Sequence, residues 1–356
     1  MPPWRAQEYT GNRYMLSWKI AFNGQMVLVL SNARRVTKVP GEKTDKEDSK
    51  RIAVLLRAGL LRGSFIPPLE IRELHDYTRY RVTLVEDSSA QKNRIEKLLQ
   101  GEGIKLSSFV SDIFGVSGRA ILDYISLHGS VPFDIVRDML KGRLKSKEDD
   151  INRALQISLS HHKQDMLQML LRHLDMISAQ IMEVERKIAS SLENFKGQVD
   201  LLSSIPGIQA RSAAAIIAEI GIDMSHFFSD RHIAAWAGMS PGNNESGGKK
   251  KPTRILNGNP YIKRILCEIA WVITRMRTTP LSQWYWKLRA KRGAKKALVA
   301  LGRKLLVIIY SVLKSGSPYD ETKVVSKQKD QIERRKKALL RELKRLGVEV
   351  EVMPVA

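Results

Sequence analysis

The sequence predicts a mainly α chain with an incomplete α/β section at its N-terminus. Three observations carry this reading. A narrow apolar seam steps 3-4-3-4-3-4 through Leu167, Leu170, Leu174, Ile177, Ile181, Val184 and Ile188. A capped amphipathic helix opens at Asp45. Residues 26–31 (MVLVLS) form a short apolar run of strand length.

Taken in order, the elements follow from local chemistry. After the strand comes a basic turn from Asn32 to Gly41, then a helix from Asp45 to Leu61. Thr44 is its N-cap, Glu47 completes the capping-box spacing, and Gly63 with Pro67-Pro68 stops it. Residues 69–100 read as a long charged helix with Leu74, Tyr77, Val85, Ile95 and Leu98 as core positions, and shorter helices follow to about 145. The seam lies in 151–196. Its spacing fits a coiled coil, within the chain or between protomers, and equally one long helix lying on a neighbouring domain. Residues 201–220 (LLSSIPGIQARSAAAIIAEI) read helix, tight turn, helix. A Gly/Asn/Lys-rich loop spans Gly238 to Asn259, and Asn259-Pro260 starts a helix through Met276. Residues 284–313 are helical and basic, and the tail from Lys323 is a charged helix.

Composition narrows the function. The chain has 356 residues, with Lys+Arg 60 against Asp+Glu 37 and a net charge of +23. That balance calls for a polyanion partner, most simply nucleic acid. A single cysteine, Cys267, excludes a disulfide scaffold and a cysteine zinc site and fits a reducing cytosol. The start, MPPWRAQEY, carries no signal peptide, and the longest apolar stretch near the C-terminus is cut by Arg303 and Lys304. No membrane partner is expected.

Three places carry chemistry. Asp45 and Asp48 share one helix face with Ile52, Leu55, Leu56 and Leu60 at ~100° per residue, so they end the apolar stripe rather than oppose it. Acids in a first turn complement the helix dipole; two convergent carboxylates also suit Mg²⁺. Glu8, followed by Tyr9-Thr10-Gly11, is a third candidate at a strand-to-helix turn. Ile205-Pro206-Gly207-Ile208 with Ala213 fits either a helix-hairpin-helix or an ordinary αα-hairpin. Gln209 stands where the first of these has a second glycine. Ser246 precedes Gly247-Gly248 and the cations Lys249, Lys250, Lys251 and Arg254. Composition alone reads it as a turn serine; a serine on a Gly-flanked loop beside cations can also reach a phosphodiester.

The stretches VLSNARRVTKVPGEKTDKEDSKRIAVLLRAGLLRGSF, IKLSSFVSDIFGVSGRAIL, IPGIQARSAAAIIAEIG and AAWAGMSPGNNESGGKKK with RILNGNPYIKRIL together resemble the bacterial insertion-sequence 110 family. These are DEDD transposases described as bridge-RNA-guided recombinases. The resemblance runs from Glu8 to Tyr319. It implies a RuvC-like (RNase H-like) domain over 1–118 and a helical connector with coiled coil over 119–198. It further implies a C-terminal transposase domain with a serine loop over 199–320 and a charged helical tail over 321–356.

By the same resemblance, Glu8 in EYTG, Asp45 and Asp48 in KTDKED, and Ser246 in NNESGG match the family's catalytic residues. The acids hold Mg²⁺ and the serine is the nucleophile. The implied partners are DNA, a structured guide RNA and a second copy of the chain, with acids and serine from different protomers. The seam is where part of that assembly is expected, and a bacterial cytoplasm is the implied location. Pro206, Gly207, Lys249, Lys250, Lys251, Arg254, Lys295 and Lys296 are the expected nucleic-acid contacts. The basic helix 287–304 supplies the last two, along with Lys287, Arg289, Lys291, Arg292, Arg303 and Lys304.

The family's first aspartate lies upstream of its glutamate, whereas residues 1–7 here contain no acid. The expectation is an N-terminally shortened site of three carboxylates, and a chain that does not complete strand transfer. The alternative is a non-catalytic nucleic-acid-binding remnant of a mobile element.

Overall fold

A computed structural model describes residues 4–8, 27–31, 45–60, 67–240, 245–246, 249–250, 258–322, 339–340 and 345. Among these the chain is mainly helical. It divides into two compact units, Met1–Leu69 and Glu70–Ala356. The cap Thr44, the stop at Gly63 and most of the charged tail lie outside the described residues.

The first unit contains strands β1 (Trp4–Glu8) and β2 (Val27–Ser31), paired in parallel with Glu8 opposite Ser31. A parallel pair requires a crossover rather than a tight hairpin. Helix α1 (Asp45–Arg57) lies against β1 and ends four residues before the expected Leu61. Ile52 is buried, while Leu60 is exposed beyond the helix end.

The second unit is built on two long helices, α2 (Leu69–Gly101) and, after α3 (Val116–His128), α4 (Phe133–Met139) and α5 (Glu148–Ala154), α6 (His161–Leu192). Three contacts set α2 and α6 antiparallel. Arg81 pairs with Glu185 at 2.8 Å and Glu102 with Lys163 at 2.9 Å, and between them Gln91 Nε2 donates to the Leu170 carbonyl at 2.9 Å. The apolar seam of α6 therefore faces a helix of its own chain. Packing against α2 within one chain is one of the arrangements that the seam's spacing allows. Leu167, Leu174, Ile177, Val184 and Ile188 are buried as expected; Leu171 is buried where Leu170 was expected, and Leu170 and Ile181 are half-buried. The same shift occurs on α2, where Leu84 and Leu99 are buried in place of Val85 and Leu98. A helix near 3.6 residues per turn drifts off a strict seven-residue repeat, so the buried positions slip by one.

The two struts run through two cores. One gathers α3, α4 and α5 around Ile95, Leu99, Ile121, Leu122, Leu167 and Leu171. The other gathers α7 (Lys196–Ser203), α8 (Ala210–Ile220), α9 (Asp230–Trp236), α10 (Pro260–Arg275), α11 (Pro280–Arg292) and α12 (Ala294–Ser315). The expected basic helix 287–304 falls on two, because Gly293 takes φ +80 between α11 and α12, a conformation that L side chains rarely adopt.

Arg119 on α3 clamps Asp175 on α6 at 2.5 and 2.7 Å and also reaches Asp123 at 2.8 Å. The Arg119 hydrogen bonds hold the Asp175 carboxyl below the usual carboxylate range. A depressed folded-state value contributes stability above the unfolded value of about 4 and loses it as pH falls through the folded one. The thermal midpoint of Asp175→Asn should therefore trail the parent's at pH 6, and the gap should close below about pH 4. A gap that stays constant down to pH 3 would show that the pair contributes nothing.

Candidate functional site

Ser246 ends strand β3 (Glu245–Ser246), which pairs antiparallel with β4 (Lys249–Lys250); Ser246 stands opposite Lys249 and Glu245 opposite Lys250. Lys251 and Arg254 lie outside the described residues. The segment bearing the serine leaves the fold after α9 and returns at α10. Its two ends meet at Gly238 and Gly258. A Cβ on Gly258 would stand 2.2 Å from the Gly238 nitrogen and 2.4 Å from the Ala237 carbonyl carbon.

Asn259 then caps α10: its Oδ1 accepts from the N–H of Tyr261 at 2.9 Å and of Ile262 at 3.2 Å. Its Nδ2 donates to Glu219 Oε2. Glu219 is the one carboxylate of α8 and is itself gripped by Arg79, whose Nε and Nη2 donate at 2.9 and 3.0 Å. The Arg79 guanidinium lies 3.9 Å over the Tyr261 ring. Sequence reading found the Asn259 start but missed Arg79, Glu219 and Tyr261. The lone carboxylate in SAAAIIAEI was the available signal.

The turn at Pro206-Gly207 joins α7 to α8. Gly207 has φ +83, and a Cβ there would lie 2.9 Å from Ile273 Cγ1, so only glycine fits the turn and the close approach together. The turn borders a cavity of about 900 Å³. The cavity's arginines are all paired within the chain. Arg81 and Arg211 share Glu185 (2.8 and 3.0 Å), Arg264 meets Glu86 and Glu268, and Arg79 holds Glu219. A cation already neutralised offers little to a phosphate, so what the hairpin presents is backbone. The N–H of Gln209 donates to Ser212 Oγ at 3.0 Å, and α8 opens at the next residue, Ala210.

The basic face is different. No acidic residue occurs between Ile269 and Tyr319. Lys287, Arg289, Lys291, Arg292, Lys295 and Lys296 are exposed, and among the described residues no carboxylate lies within ion-pair distance of them. Two members of the expected surface are corrected. Arg303 is only partly exposed. Lys304 tucks its ammonium 4.8 Å over Trp284, and burial lowers its pKa. Position inside a packed helix overrides charge there. Beside this face, Trp286 carries Arg277 at 4.9 Å and Arg289 at 4.6 Å over its ring, and Trp271 is 51% exposed.

Glu8 is the last residue of β1, at the carboxyl end of the parallel pair, and Asp45 is the first residue of α1 with Asp48 one turn on. Ligands of open α/β sheets bind beyond the carboxyl ends of parallel strands. Their carboxylates supply the hard oxygen donors that Mg²⁺ takes. The side chains of all three lie outside the described residues; among those described, no group of three His, Cys, Asp or Glu could hold a metal ion. Among them, too, no helix is long and apolar enough to cross a membrane.

Two family models match this chain. The IS110-type DEDD model, described as "Transposase", matches residues 6–103; the model for the transposase IS116/IS110/IS902 family matches 199–287. Together they span just over half of the chain. A probable family 20 transposase of Pseudomonas aeruginosa is 28% identical over 159 residues, 44% of this chain and 46% of the relative. A pilin gene-inverting protein of Moraxella bovis is 29% identical over 127 residues, 35% and 39%. The transposase for insertion sequence element IS1111A of Coxiella burnetii is 30% identical over 122 residues, 33% of each. The matched stretches thus cover less than half of these relatives' lengths.

Proposed function

The chain belongs to the IS116/IS110/IS902 family of transposases, and from that premise we propose that it is a DNA recombinase whose nucleophile is Ser246. The observation that carries this reading is the setting of Ser246. It ends one of two paired strands, opposite Lys249 in register, in a segment whose ends close on each other at Gly238 and Gly258.

In the proposed step the Ser246 oxygen attacks a DNA phosphorus. A serine–phosphate bond forms and the bond to one deoxyribose oxygen breaks. The hydroxyl proton passes to water and the departing oxygen takes one up. Resealing reverses the step with a hydroxyl of a new DNA partner, so the number of phosphoester bonds is conserved and no external energy source is needed. Lys249 and Lys250 favour the charge that gathers on the phosphate. Glu8, Asp45 and Asp48 are the residues that would hold Mg²⁺, which when bound neutralises that same charge. They belong to a RuvC-like domain over 1–118 in this reading, with α6 as the coiled-coil helix of the 119–198 connector and 199–320 as the transposase domain.

The partners follow from charge and family together: DNA, a guide RNA made by the mobile element, and a second copy of the chain, all in a bacterial cytoplasm. Gly207 would present its backbone N–H to a phosphate, with Pro206, which has no N–H of its own, fixing the turn that exposes it. Lys295 and Lys296 stand on the acid-free face and would hold nucleic-acid backbone without reading bases. That face also favours the second reading, a binding protein without chemistry. Denaturing-gel capture of labelled DNA from the chain's own locus, with Mg²⁺ and RNA transcribed from that locus, separates the two. The recombinase reading requires an adduct that vanishes in Ser246→Ala; the binding reading requires affinity without any adduct.

Both readings make affinity salt-dependent. Each phosphate contact contributes about 0.9 to the slope of log affinity against log salt on duplex DNA. Lys295→Ala with Lys296→Ala should lower that slope by about 2 and weaken all sequences alike. An unchanged slope would remove these lysines from the interface.

A further inference from the structure

Glu219 keeps only 3% of its side chain exposed. Burying a carboxylate is costly unless it is paired and hydrogen-bonded. Here three side chains converge on it from two sequence-distant places, α2 and the start of α10. Arg79 on α2 forks onto both oxygens at 2.9 and 3.0 Å, His75 Nε2 lies 3.7 Å from Oε1, and Asn259 Nδ2 donates to Oε2. A carboxylate only accepts. It therefore turns the Asn259 amide so that Nδ2 faces Glu219 and Oδ1 faces the first N–H groups of α10. Arg79 closes the ring by lying over Tyr261 in that same first turn.

Asn259 follows Gly258 directly, and Gly258 seats against Ala237 and Gly238. The clamp thus holds the point where the segment carrying Ser246 re-enters the fold. It ties that point to α8, the helix that the Pro206–Gly207 turn begins, and to α2. We propose that Glu219 is a positioning residue: acting through Asn259, it sets where the serine segment stands relative to the hairpin. The inference rests on Ser246 as nucleophile. An apolar residue at 219 would satisfy packing, but it would leave the Asn259 amide free to turn and Arg79 without its partner.

Three near-isosteric variants separate positioning from packing. Glu219→Gln sets an amide and Arg79 in competition for one oxygen. Asn259→Asp keeps the cap but opposes two carboxylates. The double variant E219Q/N259D reverses the direction of the bond. The introduced amide donates to the introduced carboxylate, its oxygen still accepts from Arg79, and the carboxylate still caps α10.

Covalent DNA capture should fall at least tenfold in E219Q and further in N259D, and return to within threefold of the parent in the double variant. DNA affinity should stay within twofold throughout. Hydrogen exchange at the Tyr261 and Ile262 amides, measured without DNA, should follow the same order. Parental exchange in both single variants overturns the clamp. So does a double variant no better than E219Q, since general damage would not be rescued by a second exchange. Should the parent itself form no Ser246-dependent adduct, the serine reading fails. The exchange series then decides the clamp alone: parental exchange in the singles overturns it, and restoration in the double upholds it.

Discussion

Ser246→Ala is expected to abolish covalent capture of DNA, by at least about a thousandfold, while leaving DNA affinity within about twofold. A nucleophile has no substitute at its position, so its removal costs the whole covalent pathway rather than a share of binding. A thousandfold is about 4 kcal/mol of barrier at about 1.4 kcal/mol per factor of ten. The backbone at 246 pairs with Lys249 through main-chain groups, which alanine retains, so the thermal midpoint should not move. The measurement is adduct yield on a denaturing gel beside affinity by anisotropy. Equal loss in both would make Ser246 a binding residue. No loss in either would leave the acid-free basic face as the sole functional surface and favour the binding reading.

Gly258→Ala is expected to cost about 3 kcal/mol, toward the upper end of the range for overpacking. The methyl would meet three backbone atoms at 2.2 to 2.5 Å. A flexible side chain could swing aside; the backbone of Ala237 and Gly238 cannot, because Gly238 N–H donates to Ala235 and Met239 N–H to Ala234. At this size, with an unfolding entropy of about 2.1 cal/mol/K per residue, the cost lowers the thermal midpoint by roughly 4 to 5 °C. Gly197→Ala is the control. It lies in α7 with nothing within 4 Å of the added methyl and should be neutral or stabilising by up to about 1 kcal/mol. Urea unfolding of the pair decides it: opposite signs uphold the close approach, and a Gly258→Ala cost below about 0.5 kcal/mol overturns it.

The start of α10 was legible at Asn259-Pro260, because an Asn cap and a proline in the first turn act within three residues. The hairpin at Pro206-Gly207 was legible for the same reason. Helix α2 came out at 69–101 against an expected 69–100, since its charged and apolar periodicity spans many turns. The buried register was less legible. Leu171, Leu84 and Leu99 displaced their neighbours because a partner helix, not the helix itself, selects the face. The basic run 287–304 read as one surface, yet Lys304 turned inward over Trp284, which lies twenty residues earlier in the chain. The pairing of Arg81, Arg211 and Arg264 beside the hairpin was not legible either, since their carboxylates stand on other helices.

What the sequence determined by itself was everything written within a few turns of chain: the caps, the glycine turns, the helical periodicity, the net charge, and the motif order that identifies the family. The tertiary structure alone decided which charges are spent and which remain. Arg79 and Glu219 stand 140 residues apart, and Arg264 and Glu86 stand 178 apart. No local pattern encodes such pairs; they exist because α2, α8 and α10 pack side by side. A buried carboxylate takes whichever donors that packing supplies, so the clamp behind the serine segment became visible only once the helices were in place.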